Sequence, residues 1–176
     1  MSDTGYIKIQ FGLKSEQRHA AAQGFYQAFQ EKCAIFGSRD RVIRALAAGM
    51  NVRQAIVAVL NEEVVGIAAF KFRNRPFLDL QSSNCMRELG VFRGLLAVFM
   101  HIIFKREPCP RELLMYGLYV SDRYRGRGIG TLLLDAICTL ARAKVKQFVR
   151  LQVVDTNPNA RQLYERLGFV ADKTKD

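Results

Sequence analysis

Apolar residues recur at strand and helix periods along most of the chain. Strict alternation of apolar and polar residues predicts a first strand over residues 6–11, and two apolar runs around a turn at 61–63 predict a hairpin. Strands are predicted over 6–11, 55–60, 64–72, 113–120 and 148–154, and helices over 15–32, 38–49, 131–143 and 157–167. The order β-α-α-β-β-β-α-β-α, with room for one more short strand at the end, predicts an α/β fold with a mixed sheet.

About forty residues between the hairpin and the strand at 113–120 are not needed by this plain pattern. Within them, residues 94–104 (GLLAVFMHIIF) are apolar except for His101. This run is too short for a transmembrane helix, which needs about 20 residues. It predicts a buried helix inside an insertion at about 73–112. A lid over a substrate pocket and a peripheral membrane contact through 94–104 are the alternatives.

Composition and charge limit the classes of function. The 176 residues are 49% hydrophobic and 24% charged, which fits one domain over 1–176 and excludes a disordered or low-complexity chain. Four Cys without a CxxC pair and two His away from them predict no metal site and no disulfide framework. With no secretory signal at the N-terminus, we expect a cytoplasmic protein. The formal net charge of +11 favours a polyanionic ligand, but the basic residues are dispersed, which makes nucleic-acid binding an unfavoured interpretation.

A glycine-rich turn is the first candidate for chemistry. The sequence YGLYVSDRYRGRGIGT ends a predicted strand and opens a predicted helix. Gly126, Gly128 and Gly130 allow the backbone to approach a ligand closely, and the helix N-terminus adds unpaired N–H donors and partial positive charge. Arg125 and Arg127 add cations at the rim. The pattern predicts an anion site, although it matches neither the GxxxxGK[ST] nor the GxGxxG phosphate motif.

The last predicted helix, with the sequence NPNARQLYERLGF, is the second candidate. Asn157 is a good N-cap, and Pro158 suits the first helical position, where its missing N–H costs nothing. Tyr164 lies at the edge of the apolar stripe, where a tyrosine ordinarily anchors the core and keeps its hydroxyl solvated. Gly168 is placed to end the helix in a left-handed conformation.

Together the two segments resemble the GNAT acetyltransferase superfamily. Its Q/R-x-x-G-x-G/A signature matches residues 125–130, and its N-x-x-A-x-x-x-Y-x-x-x-G-F pattern matches residues 157–169. The motifs cover about 113–169, and the upstream order of elements agrees with the family fold. The resemblance implies a GNAT-like mixed, largely antiparallel central sheet flanked by helices, with a long helical insertion before the fourth strand.

The resemblance also implies a function: acetyl-CoA-dependent transfer of an acetyl group, directly, to a primary amine of a small molecule or peptide. Main-chain N–H groups of the glycine-rich turn would cradle the pyrophosphate, and the strand before it would pair with the pantetheine arm and polarise the thioester carbonyl. Tyr164 would protonate the departing CoA thiolate. The implied cofactor-binding residues are Leu118, Tyr119, Val120, Arg125, Gly126, Arg127, Gly128, Ile129, Gly130, Thr131, Asn157 and Asn159.

Several alternatives stay open at this point. Many relatives carry a Glu general base on the strand before the turn, where this chain has Leu114, Met115 and Tyr116. A relay of water molecules is one substitute; the side-chain candidates are Glu88, His101, Glu112 and Asp122. A non-catalytic acyl-CoA-binding module and a protein (lysine or N-terminal) acetyltransferase are the alternative functions, and a homodimer is an open alternative to a monomer. Because only residues 170–176 follow the second motif, we expect an open sheet edge there.

Overall fold

The structure, a computed structural model, describes residues 5–72, 75–79, 87–90, 94, 109–151 and 158–171. The strands are β1 (Lys8–Phe11), β2 (Ala55–Leu60), β3 (Glu63–Lys71), β4 (Glu112–Val120) and β5 (Phe148–Arg150). The α-helices are α1 (Arg18–Ala28), α2 (Gln30–Cys33), α3 (Arg39–Gly49), α4 (Ile129–Ala143) and α5 (Pro158–Arg166).

The strands form one sheet in the order β1-β2-β3-β4-β5. The first three pairs are antiparallel, whereas β4 and β5 are parallel, with Leu113 opposite Val149. The β2–β3 hairpin turns on two residues with positive φ, Asn61 at 48° and Glu62 at 68°, a geometry that matches the twist of the flanking strands. The predicted mixed, largely antiparallel sheet is confirmed.

Helices cover both faces of this sheet. Alternate residues of β2 enter different layers: Ala55 and Val57 pack with α1 and α3, whereas Ile56 and Ala58 pack with α4 and α5. Because β2 is buried on both faces, its sequence is an almost continuous apolar run instead of an alternating one. Removing one large side chain from water in either layer contributes about 1.5–3 kcal/mol.

The helix predicted over 15–32 is broken in the structure. Residues Ser15–Gln17 form a 3₁₀ turn, and the α-helix is interrupted at Phe29, whose φ of −125° and ψ of 28° are not helical. The break coincides with a tertiary contact: a Cβ built on Gly117 of β4 would lie 2.6 Å from the Phe29 ring. The continuous apolar stripe of this segment therefore predicted a longer helix than packing against β4 permits.

The described residues of the insertion pack against the α1–α3 layer. Phe77 is 1% exposed, and its ring centroid lies 5.4 Å from that of Phe25. Leu89 is buried in the same cluster, and Glu88 forms an ion pair with Arg44 of α3 at 2.9 Å. Apart from Gly94, the apolar run 94–104 with its His101 lies outside the described residues. Across the described part of the chain, none of the helices has the length and apolar character needed to cross a membrane.

Candidate active site at the end of the fourth strand

One edge of β4 pairs with β3, and the other edge pairs with β5 over only part of its described length. We call this second edge the open edge of β4. Strand β4 has nine residues, but among the described residues it pairs with β5 only from Glu112 to Leu114. β4 continues to Val120 beside β3, and no further pairing with β5 is described beyond Leu114. A half-paired strand of this kind presents main-chain donors and acceptors to any extended ligand that lies along it.

The hydrogen-bond register shows which main-chain groups face the open side. The Ser121 N–H donates to the Val65 carbonyl at 2.9 Å, so Gly66 and Val120 are a non-hydrogen-bonded pair. The N–H and C=O groups of Val120, and by alternation those of Leu118, therefore point away from β3. Those of Tyr119 point toward β3.

A β-bulge lies where the pairing with β5 ends. Ala69 is opposite Gly117 and Phe70 is opposite Met115, so Tyr116 is an extra residue in β4. A bulge bends its strand and increases the local twist. It therefore bends β4 just beyond the segment that pairs with β5.

The glycine-rich turn follows directly after this open edge. Gly126 and Gly128 both have a φ of 76°, and a Cβ on either would meet nothing within 4 Å, so both glycines are needed for conformation and not for space. The first intrahelical bond of α4 runs from the Leu132 N–H to the Gly128 carbonyl at 3.1 Å. The N–H groups from Gly128 to Thr131 therefore have no partner within the helix and face outward at its positive end.

Gly130, the third glycine of the motif, has a packing contact that Gly126 and Gly128 lack. A Cβ on Gly130 would lie 3.0 Å from Leu163 of α5, and a Cβ on Gly66 of β3 would lie 3.1 Å from Ile129 and from Leu133. These two glycines allow α5 to approach α4, and α4 to approach the sheet. This packing contact adds to the predicted role of Gly130, whose N–H group remains among those at the start of α4.

Both Arg125 and Arg127 of the turn have partners within the protein. The Arg125 guanidinium pairs with Asp122 at 2.6 Å, and its Nε donates to the Val120 carbonyl at 3.4 Å. The Arg127 guanidinium lies 5.3 Å from the centroid of the Tyr124 ring. Tyr124 is 2% exposed and donates its hydroxyl hydrogen to Glu63 at 3.2 Å, so the ring is a fixed platform for Arg127.

Tyr164 lies on the inner face of α5, 8% exposed, in the cluster that also contains Leu118 and Val120. The helix ends in a Schellman motif, in which Gly168 has a φ of 85° and the Phe169 N–H donates to the Tyr164 carbonyl at 3.0 Å. The Phe169 ring lies 5.9 Å from that of Tyr164. Burial raises the pKa of Tyr164, so its phenol stays protonated throughout the neutral range.

The structure describes one of the two asparagines of the second motif. Asn159 is exposed in the first turn of α5. Asn157 lies outside the described residues.

The candidate general bases are already engaged wherever they are described. Glu112 is buried at the start of β4, where it pairs with Arg150 at 2.8 Å and accepts the Cys109 N–H at 3.2 Å. Glu88 pairs with Arg44 and Asp122 pairs with Arg125. Glu112 therefore joins the two parallel strands at the end of β4 opposite the glycine-rich turn.

One polar contact beside the turn was missed by the sequence reasoning. The Tyr119 hydroxyl donates to Gln27 of α1 at 2.7 Å, and Gln27 in turn donates to Asp122 at 3.5 Å. Burial raises the pKa of Tyr119, which is packed against Gly24 of α1. The Tyr119–Gln27 contact spans 92 residues of sequence, so no local pattern indicates it.

Comparisons with known proteins agree with this geometry. A family model described as the acetyltransferase (GNAT) family matches residues 18–169. A thialysine N-epsilon-acetyltransferase of Mus musculus is 38% identical over 134 residues, which is 75% of this chain and 76% of that protein.

Solved structures are similar over almost the whole chain. One acetyltransferase crystal structure has a TM-score of 0.66 at 25% identity, covering 96% of this chain and 92% of that chain. An aminoglycoside N-acetyltransferase in complex with CoA has a TM-score of 0.65, covering 100% of this chain and 95% of that chain. At 11% identity, that second likeness is one of fold alone.

The ion pair of Glu112 leads to a prediction about stability. Glu112→Gln removes the carboxylate charge that pairs with Arg150, and we expect the free energy of unfolding to fall by about 1.5–3 kcal/mol. Glu165→Gln is the matched control, because it breaks an exposed pair with Arg161 at the same 2.8 Å and should change stability by less than about 1 kcal/mol. Urea unfolding of both variants measures the difference. Equal, small losses would contradict the structural role and restore Glu112 as a candidate base.

Proposed function

The chain belongs to the acetyltransferase (GNAT) family, and from that membership we propose that it transfers the acetyl group of acetyl-CoA directly to a primary amine of a small molecule or peptide. The proposal rests on two adjacent features of the structure. The open edge of β4 leads directly to the start of α4, where the N–H groups have no partner within the helix. An extended thioester with a diphosphate at its far end fits this junction. The amine nitrogen then attacks the carbonyl carbon of the thioester.

The donor would be held by main-chain groups. The diphosphate would accept hydrogen bonds from the N–H groups of Gly126 to Thr131, where the helix dipole favours an anion. The Arg125 N–H already donates to the Asp122 carbonyl at 3.3 Å. Arg127, fixed over Tyr124, adds a positive charge at this turn. The pantetheine arm would pair with Leu118 and Val120, whose main-chain groups point to the open side.

The side chains of α5 would complete the donor site. Asn159 in the first turn is exposed, and together with Asn157 it is proposed to lie beside the pantetheine arm. Tyr164 faces the same apolar layer as Leu118 and Val120, which supports a position beside the thioester sulfur.

The chemistry needs one oxyanion donor and one acid. When the amine nitrogen bonds to the thioester carbon, an outward N–H of β4 would stabilise the oxygen, an effect of about 10²–10³ in rate per donor. The C–S bond then breaks, and Tyr164 would give its proton to the thiolate. Phenol and thiol pKa values near 10 and 8.5 make this transfer feasible. Because the described candidate bases Glu88, Glu112 and Asp122 are engaged in ion pairs, we propose that the amine loses its proton to water.

The acceptor proposed first is a small lysine-like amine. The support is the 38% identity to a mouse enzyme named for thialysine. The apolar run 94–104 of the insertion supports an acceptor with some apolar character. We also propose a reducing, cytoplasmic location, which the free thiols of Cys33, Cys109 and Cys138 support.

The direct test is an amine panel. Purified protein is given acetyl-CoA with thialysine, lysine, simple monoamines or a peptide with a free N-terminus, and thiol release is followed. We expect turnover with a small amine above the rate without any amine. Turnover with the peptide alone would favour a protein acetyltransferase, and CoA binding without turnover on any amine would favour the non-catalytic module.

Tyr164→Phe tests the acid. Removing the phenolic proton should lower kcat by about 10²–10⁴ and leave the Kd for acetyl-CoA unchanged. Because burial raises the pKa of Tyr164, loss of the wild-type acid should occur only above pH 10, so its removal lowers kcat at every pH below that. Tyr26→Phe is the matched control, a tyrosine 7% exposed in the other layer. A weaker Kd with normal kcat would contradict the assignment.

Gly128→Val tests the phosphate cradle. A β-branched residue at a φ of 76° is strained by about 1–3 kcal/mol, which displaces the N–H groups at the start of α4. We expect CoA to bind about ten- to one-hundredfold more weakly by calorimetry. Gly90→Val is the control, because Gly90 has a φ of 77° and equally open surroundings but lies in the insertion. Equal CoA affinity in the two variants would contradict the cradle.

A further inference from the structure

We propose that Arg125 is an internal gate of the donor site, which Asp122 holds closed in the free protein and which the diphosphate of the donor opens. This inference rests on the proposed function, since it takes the turn at 125–131 as the diphosphate site. It adds a residue, Asp122, that competes with the ligand for Arg125. The motif by itself does not include Asp122.

The first observation is where the Arg125 side chain lies. Its terminal nitrogen pairs with Asp122 at 2.6 Å, and its Nε lies 3.4 Å from the Val120 carbonyl oxygen. That carbonyl points to the open side of β4, because Val120 and Gly66 form a non-hydrogen-bonded pair. The guanidinium therefore covers the last outward acceptor of the edge along which an extended ligand would pair.

The second observation is that Asp122 is held from its other side. Its second oxygen accepts from the Gln27 side chain at 3.5 Å, and Gln27 accepts from the Tyr119 hydroxyl at 2.7 Å. Tyr119 itself is packed on Gly24, where a Cβ would lie 2.6 Å from its ring. Hydrogen bonds through Gln27 thus hold Asp122 near α1 and β4. Arg125 is therefore the partner that moves when the ion pair breaks.

The charges favour exchange of partners. Both side chains of the pair are mostly exposed, at 66% for Arg125 and 60% for Asp122, so the pair contributes little stability and is easily broken. A diphosphate at the N-terminus of α4 carries more negative charge than one carboxylate and accepts bidentate hydrogen bonds from a guanidinium. When Arg125 turns to it, the Val120 carbonyl becomes available to the rest of the donor.

The test is the affinity for CoA, measured by calorimetry at fixed ionic strength. If Asp122 competes for Arg125, Asp122→Asn should bind CoA about two- to fivefold more tightly, the range expected for an exposed ion pair. In an Arg125→Gln background, the same Asp122→Asn change should have no effect, because there is no guanidinium to release. Glu88→Gln removes one equal charge from a pair on α3 and should leave the CoA affinity unchanged.

The outcomes separate this inference from the proposed function. Wild-type protein that does not bind CoA overturns both. Wild-type binding together with unchanged or weaker binding by Asp122→Asn overturns the gate alone, since Asp122 would then be neutral or would orient Arg125 for the ligand. Equal tightening by Glu88→Gln, or tightening that persists without Arg125, overturns it as well, because net charge would then explain the effect.

Discussion

The separation of β5 from β4 is the constraint on which the candidate site depends. Among the described residues, the two strands pair in parallel at Glu112, Leu113 and Leu114, and this pairing is not described beyond Leu114. Unpaired main-chain groups inside a layered domain are costly unless water or a ligand satisfies them. The ion pair between the buried Glu112 and the half-exposed Arg150 lies at the paired end of the two strands, and the bulge at Tyr116 bends β4 just beyond that end.

Glycines position the helices around the open half of β4. Gly66 allows α4 to lie on the sheet, and Gly130 allows α5 to lie against α4, so the N-terminus of α4 and the buried Tyr164 are both brought to the open half of β4. On the opposite face, Gly24 and Gly117 allow α1 to contact β4 through the rings of Tyr119 and Phe29. β4 therefore packs between two helical layers, and a ligand would lie along its open edge.

Each of the two motifs combines conformation, packing and chemistry in adjacent residues. In the first, Gly126 and Gly128 supply left-handed backbone, while Arg127 is oriented by the Tyr124 ring. In the second, Gly168 and Phe169 close the end of α5, which fixes the helix that carries Tyr164. A motif match thus identifies the family, but the role of each matched residue depends on what it touches.

The sequence by itself determined the order of elements, both motifs and the left-handed conformation of Gly168, because these follow from periodicity and local conformational preference. It also supplied the candidate residues, although it extended the first helix through Phe29 and did not indicate that Gly130 packs against α5. Only the tertiary structure decided the open edge of β4, the pairing of Glu112 with Arg150 and the network from Tyr119 through Gln27 to Asp122. These contacts join residues from distant parts of the chain, and their partners are selected by how the layers pack. Neighbouring residues in the sequence carry no signal for them.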